Sequence, residues 1–166
     1  DESWYFHQIG RAIERADQTT RLVDVKYQVL LPQPSDVGSP LDEAQWNTVL
    51  RSAAGFHAFR RLSPQSMSPA RVVEFLVFDQ RFPRSVAASV LVANEQLNQL
   101  RLKYGHTSKR AASNLLRKLA ASLAEDTAEE LIERGLHEGL DEMQAELAGV
   151  TNALGREFFL LTETDD

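Results

Sequence analysis

Seam residues recur along the first thirty positions at alternating spacings of three and four: Phe6, Ile9, Ile13, Ala16, Thr20, Val23, Tyr27 and Leu30. This is the a/d spacing of a helix that buries one stripe, and it predicts one long helix from Ser3 to Leu31. Ser3 is the expected N-cap, with Asp1 and Glu2 near the positive end of the helix dipole. Pro32 and Pro34 end the helix. Gly10 lies inside it, where glycine costs about 1 kcal/mol relative to alanine, so a close crossing by a neighbouring helix is expected there.

Further helices follow the same logic. Ser39-Pro40 and Ser68-Pro69 each read as an N-cap followed by proline at the first helical position. The first opens a helix reaching about Leu62, with Trp46, Val49, Leu50, Ala53 and Phe56 inward. The second opens the apolar segment Val72 to Phe78, whose composition suits a strand. A lone strand among helices has no partner for its backbone, so a short, deeply buried helix is the reading. Pro83 is expected to open a helix that uses Val86, Val90, Ala93, Leu97 and Leu100 and ends near Tyr104-Gly105. Another runs from about Thr107 to Leu123. Asp126 to Glu129 starts the last long stretch, whose seam is Leu136, Leu140, Met143, Leu147, Val150 and Leu154. Gly135 and Gly139 are candidate breaks in it. The pattern predicts an all-α helical bundle of about six helices with long first and last helices, in one domain over residues 1–166. The two end seams are natural partners, and the tail Thr162 to Asp166 is expected to fray.

A second stripe runs beside the first seam: His7, Gly10, Glu14, Asp17, Arg21, Asp24 and Gln28. One reading is a solvated, salt-bridged face. The other is a polar wall lining a groove, with Glu14 and Asp17 for a cation, amine or metal and Arg21 for a carboxylate or phosphate. Arg15 lies on a different face, with Gln8, Arg11, Thr19 and Leu22. Adjacent helical residues diverge by about 100°, so Glu14 and Arg15 cannot pair across one helix. Asp79 to Ser85 is a second constellation: either Asp79 and Ser85 cap free amides, or Arg81 and Arg84 hold an anion at a helix start. His137 and Asp141 form an i,i+4 pair that could share a metal, although a satisfied surface histidine is the simpler reading. No phosphate loop, His-Glu-x-x-His or Gly-x-Ser-x-Gly occurs.

Composition narrows the function classes. Cysteine is absent, which removes disulfides, thiolate metal sites and a cysteine nucleophile, and is compatible with a cytoplasmic location. No apolar run approaches the roughly 20 residues of a membrane span, so no membrane role is expected. The net charge of −6 is unevenly spread: residues 1–118 hold 16 basic and 11 acidic side chains, residues 119–166 hold 2 and 13. An acidic chain is a poor nucleic-acid binder. The basic cluster Lys103, Lys109, Arg110, Arg117 and Lys118 has one aromatic among it, Tyr104, and suits a solvated face or packing beside the acidic last helix.

Trp4 through Tyr27, containing Gly10-Arg11-Ala12-Ile13-Glu14-Arg15-Ala16-Asp17, resembles the alpha-E family, bacterial helical proteins known by a Glu-Arg motif. Gln45-Trp46 through Ser52, Glu74-Phe75-Leu76 through Val86, and Gly135-Leu136-His137-Glu138 agree in order. The resemblance covers nearly the whole chain and implies the later half of longer family members. It also implies company: alpha-E proteins occur beside or fused to ATP-grasp-type ligases and transglutaminase-like proteins, a setting that suggests peptide or amide-bond formation. On that footing the expected role is a helical accessory or substrate-holding component. Its candidate residues are Glu14, Arg15, Asp17, Arg21, Asp24, Asp79 and Arg84, with no cofactor or metal of its own. Two other classes remain open: a stand-alone metal or acid/base enzyme using the carboxylates of the first helix with His7 or His137, and a structural module that forms homo-oligomers through the apolar seams.

Overall fold

The seam of the first helix is buried as its spacing requires. In the computed structural model, which describes residues 1–29, 39–63, 67–106 and 110–159, helix α1 spans Glu2–Val29. Ile9, Ile13, Ala16, Thr20 and Val23 are buried, and Ala12, Thr19 and Lys26 join them. The buried stripe is wider than an a/d seam because α1 is packed on several sides. The backbone N–H of Trp4 donates to Asp1 Oδ1 at 3.0 Å, so the cap is Asp1, two residues earlier than the expected Ser3.

Ser39 caps α2, Pro40–Ser52, as expected. The single helix foreseen to Leu62 is broken: Ala54 takes a φ of +54° and α3 spans Phe56–Leu62. The cause is a close approach. A Cβ on Gly55 would lie 2.9 Å from the Phe82 ring, and Phe82 stacks on Phe75 at 4.4 Å. Ser68 caps α4, Pro69–Val73, which runs into a π-helical turn at Glu74–Phe78. Phe75, Leu76, Val77 and Phe78 are all buried there, so the apolar run is a deeply packed helical segment rather than a strand.

Helix α5, Val86–Tyr104, is capped by Ser85 rather than opened by Pro83, which lies in the preceding turn. It ends at Gly105 in the left-handed region. Helix α6 spans Ala111–Glu125. Helix α7, Ala128–Phe158, begins with a capping box of Thr127 and Glu130 and kinks at Gly135, where φ is 112° and ψ 103°. A side chain is strained at such a φ, which is why glycine stands at the kink. The helix continues through Gly139. Among the described residues the fold is thus an all-α bundle of seven α-helices and one π-turn.

Helix α1 packs against α5 and α7, and α6 packs against both of these. Helices α1 and α7 run antiparallel: Phe6 meets Phe158 at one end, with ring centroids 5.1 Å apart, and Asp24 meets His137 at the other. The basic segment does lie beside acidic α7, as Lys118 pairs with Glu146 at 3.3 Å. Arg101 donates to Glu157, to Ser113 and to the His106 carbonyl, and Glu157 accepts the backbone N–H of Ala112. One buried carboxylate thereby joins α5, α6 and α7. No helix among the described residues is long and apolar enough to cross a membrane. The loop at 32–38, Leu30, the side chains of Tyr27 and Gln28, Pro64, the expected helix start at Thr107, Lys109 and the tail from Thr162 lie outside the described residues.

Helix α2 is pinned to α1 by a buried ion pair. Lys26 Nζ lies 2.9 Å from Asp42 Oδ1, with the two side chains 1% and 3% exposed. The ammonium also donates to Gln45 at 2.7 Å and sits 5.1 Å from the centre of a Trp46 ring. Removing one partner strands a buried charge. Asp42→Ala should therefore lose about 3–5 kcal/mol in urea unfolding, whereas Lys26→Met with Asp42→Leu should recover most of that loss.

Candidate functional site

Glu14 stands on a ridge of α1 between two hollows and lines both. Its carboxylate accepts a hydrogen bond from Gln18 Nε2 at 3.1 Å, on its own helix. One hollow opens toward α7 and is apolar. The other opens toward the turn before α5 and is rich in arginine.

The first is a groove of about 700 Å³ between α1 and α7. Ile9, Ile13, Leu147 and Leu154 form its floor, and Phe6 and Phe159 close one end. The Phe6 and Phe159 rings lie 5.0 Å apart, and Phe159 remains 57% exposed. Glu14, Asp17, Arg21, Gln144, Thr151 and Asn152 supply the polar lining. Asp17 accepts two hydrogen bonds from Arg21, at 2.7 and 3.1 Å, which holds the guanidinium proton above its ordinary pKa. Gln144 Nε2 is out of reach of water and has no hydrogen-bond partner among the described residues. A buried unpaired donor is costly.

The second hollow is a notch of about 180 Å³. Arg11, Arg15, Gln18, Thr19 and Leu22 of α1 line it with Ser52, Ala53 and Arg84. Thr19 donates to the Arg84 carbonyl at 2.9 Å, and Arg15 Nη1 to the Pro83 carbonyl at 3.4 Å. These bonds tie the turn to α1 and set Arg11, Arg15 and Arg84 around one concavity. Arg15 and Glu14 diverge as helix geometry demands, yet both edge the notch.

The remaining candidates lie elsewhere. Asp79 lines neither hollow. Arg81 claims it through side-chain bonds at 2.9 and 2.7 Å and through its backbone N–H, and this holds the Asp79 carboxyl below the ordinary carboxylate range. Asp24 meets His137 Nδ1 at 2.7 Å, and His137 Nε2 lies 3.6 Å from Asp141. The bond to Asp24 is the main cause of a raised imidazole pKa. His137 therefore meets Asp24 rather than Glu14, while His7 is exposed.

Sequence reasoning missed Arg11 and Gln144 as lining residues. It also placed Leu147 and Leu154 in a purely structural seam. A row of small residues beside that seam, Ala148, Thr151 and Gly155, was the available signal, because small side chains let the interhelical groove stay open.

Gly10 overturns its expected role. It is exposed on the groove lip, and a Cβ there meets nothing within 4 Å, so no helix crosses closely. Gly10→Ala should consequently stabilise the fold by up to about 1 kcal/mol, seen as a higher Tm; a close crossing would give a loss instead. Asp79 yields a second test. Its folded pKa is depressed, so its stabilising contribution is present above the unfolded carboxylate pKa and is lost as pH falls through the folded one. Asp79→Asn should flatten the acid limb of stability measured by urea unfolding from about pH 6 to about pH 2.

Comparison with known proteins adds one finding. A family model described as alpha-E, a predicted alpha-helical domain with a conserved ER motif, matches residues 1–159. No curated protein and no solved structure matches the chain. The matched span takes in every described helix, including α1 with Glu14-Arg15. The chain belongs to the alpha-E family.

Proposed function

We propose that this alpha-E domain is a holding component of an ATP-grasp-linked system that forms peptide or amide bonds. It holds a charged peptide over α1, either the substrate or a segment of the ligase. The observation that carries the reading is Glu14 on the ridge between an apolar groove and an arginine-lined notch. A peptide lying across that ridge places an apolar side chain on Ile9, Ile13 and Leu147. Its cationic group meets Glu14, and its carboxylate reaches Arg15 and Arg84. The Asp17–Arg21 pair and Gln144 offer polar partners along the groove. The sequence has no phosphate loop, so ATP is assigned to the partner enzyme. The link to a ligase rests on the company kept by the family and not on the geometry.

The test uses the domain with its cognate ATP-grasp protein, measuring ATP-dependent ligation and peptide affinity by fluorescence polarisation. Glu14→Ala and Arg84→Ala should each weaken peptide affinity about tenfold, the equivalent of about 1.4 kcal/mol. Gly10→Phe should fill the groove and block binding without unfolding the domain, because the Cβ position is open. Unchanged affinity and ligation in all three variants would remove this site assignment.

A further inference from the structure

We propose that the notch beside Glu14 takes the C-terminal aspartate or glutamate of a peptide and reads its side-chain and terminal carboxylates together. The inference rests on the holding role proposed above and names the chemistry of what is held.

The charge of the notch sets the charge of its occupant. Arg11, Arg15 and Arg84 line it, and Glu14 is the one carboxylate among the lining residues. Three guanidinium charges against one carboxylate leave two positive charges unmatched. Arg21, Arg81, Arg101 and Arg134 each meet an acidic side chain of this protein, whereas among the described residues Arg11, Arg15 and Arg84 are in no ion pair. Guanidinium groups bind carboxylates and phosphates through paired N–H donors. The end of α2, which supplies Ser52 and Ala53, offers little opposition to an anion. Its Val49, Leu50 and Arg51 carbonyls already accept from the backbone N–H groups of Ala53, Gly55 and Ala54.

The walls are tied together without a ligand. Thr19 donates to the Arg84 carbonyl at 2.9 Å and Arg15 Nη1 to the Pro83 carbonyl at 3.4 Å. Arg15 thereby spends one of its five N–H donors and keeps the others. Fixing both elements beforehand lowers the ordering cost of binding. The arginines come from two elements, α1 and the turn before α5, so the positive charge is spread across the concavity. Leu22 and Ala53 add apolar wall. That combination suits two separated carboxylates joined by methylene groups better than a compact phosphate. A single residue carries two carboxylates only at a chain end, so an acidic C-terminus meets the requirement.

The motif points to the same place. The family is described by a conserved ER motif. This chain has two Glu-Arg pairs, Glu14-Arg15 and Glu133-Arg134. Arg134 is engaged by Asp126 at 2.6 Å, and its pair lines neither the groove nor the notch. Glu14 and Arg15 both line the notch.

The experiment titrates the domain with N-acetyl-glutamate, a one-residue stand-in for an acidic C-terminus, and follows the arginine Nε–H resonances by NMR. N-acetyl-glutamine, which keeps one carboxylate, and inorganic phosphate are the comparison arms. N-acetyl-glutamate should shift Arg15 and Arg84 and bind about tenfold or more tightly than either. Arg15→Gln and Arg84→Gln should each weaken it by a similar factor, whereas Arg61→Gln, at an exposed position outside the notch, should not. Arg84→Gln keeps the Thr19 bond, which is made to the backbone carbonyl, so lost binding in that variant is not lost structure. Gly10→Phe should fill the groove and leave N-acetyl-glutamate binding intact, which separates this inference from occupation of the groove. Equal binding of N-acetyl-glutamate and N-acetyl-glutamine, phosphate binding as tight as that of N-acetyl-glutamate, or unmoved Arg15 and Arg84 resonances would overturn the proposal. Each of those results would leave the Gly10→Phe test of peptide holding standing.

Discussion

Everything in this fold is placed by the burial of α1. Ile9, Ala12, Ile13, Ala16, Thr20 and Val23 are removed from water along its length, and no single neighbour covers so wide a stripe. Helix α5 covers one side, α7 another, and α2 is fixed near the end by Lys26 and Asp42. Small side chains at Ala12, Ala16 and Thr20 permit this many-sided packing, since a larger residue at any of them would push a partner away. The buried Lys26 charge then specifies where α2 docks, because only a position that supplies Asp42 and Gln45 satisfies it.

The hollows follow from what α1 leaves uncovered. Helix α7 meets α1 at both ends, through Phe6 with Phe158 and through Asp24 with His137, while Gly10 and the small residues of α7 leave space between. The turn before α5 is held on the opposite flank by Thr19 and Arg15, and that contact shapes the notch. Glu14 is placed between the two by the 100° step of the helix, and among the described residues its hydrogen-bond partner is Gln18 of its own helix. A glutamate followed by an arginine is therefore a way to equip both flanks of one helix.

The helices were legible because their signals are local. Spacing gave the seam of α1, Ser-Pro steps gave the starts of α2 and α4, and Gly105 and Gly135 marked an end and a kink. The failures were tertiary. The break at Ala54 exists because Gly55 must yield to Phe82, a residue far along the chain. Gly10 suggested a close helix crossing, but the same lack of a side chain serves an open lip. Of the candidate residues, Arg15 and Arg84 come together at the notch and Asp17 and Arg21 lie along the groove, whereas Asp79 is engaged by its neighbour Arg81. A helical stripe shows which residues share a face but not which helix will meet it. The approach of His137 to Asp24 was invisible for that reason, although both lay in patterns already noted.

The claim that the groove beside Glu14 is the working surface has a direct measurement, favoured by a chain without cysteine. A single cysteine at Gly10 reports on the groove lip, and one at exposed Ser122 on α6 serves as control. Alkylation rates of both are measured with and without the cognate ATP-grasp protein and its peptide substrate. Occupation of the groove predicts strong protection of the cysteine at position 10, with the cysteine at position 122 unaffected. Equal alkylation of position 10 in the free and the assembled states would contradict the account.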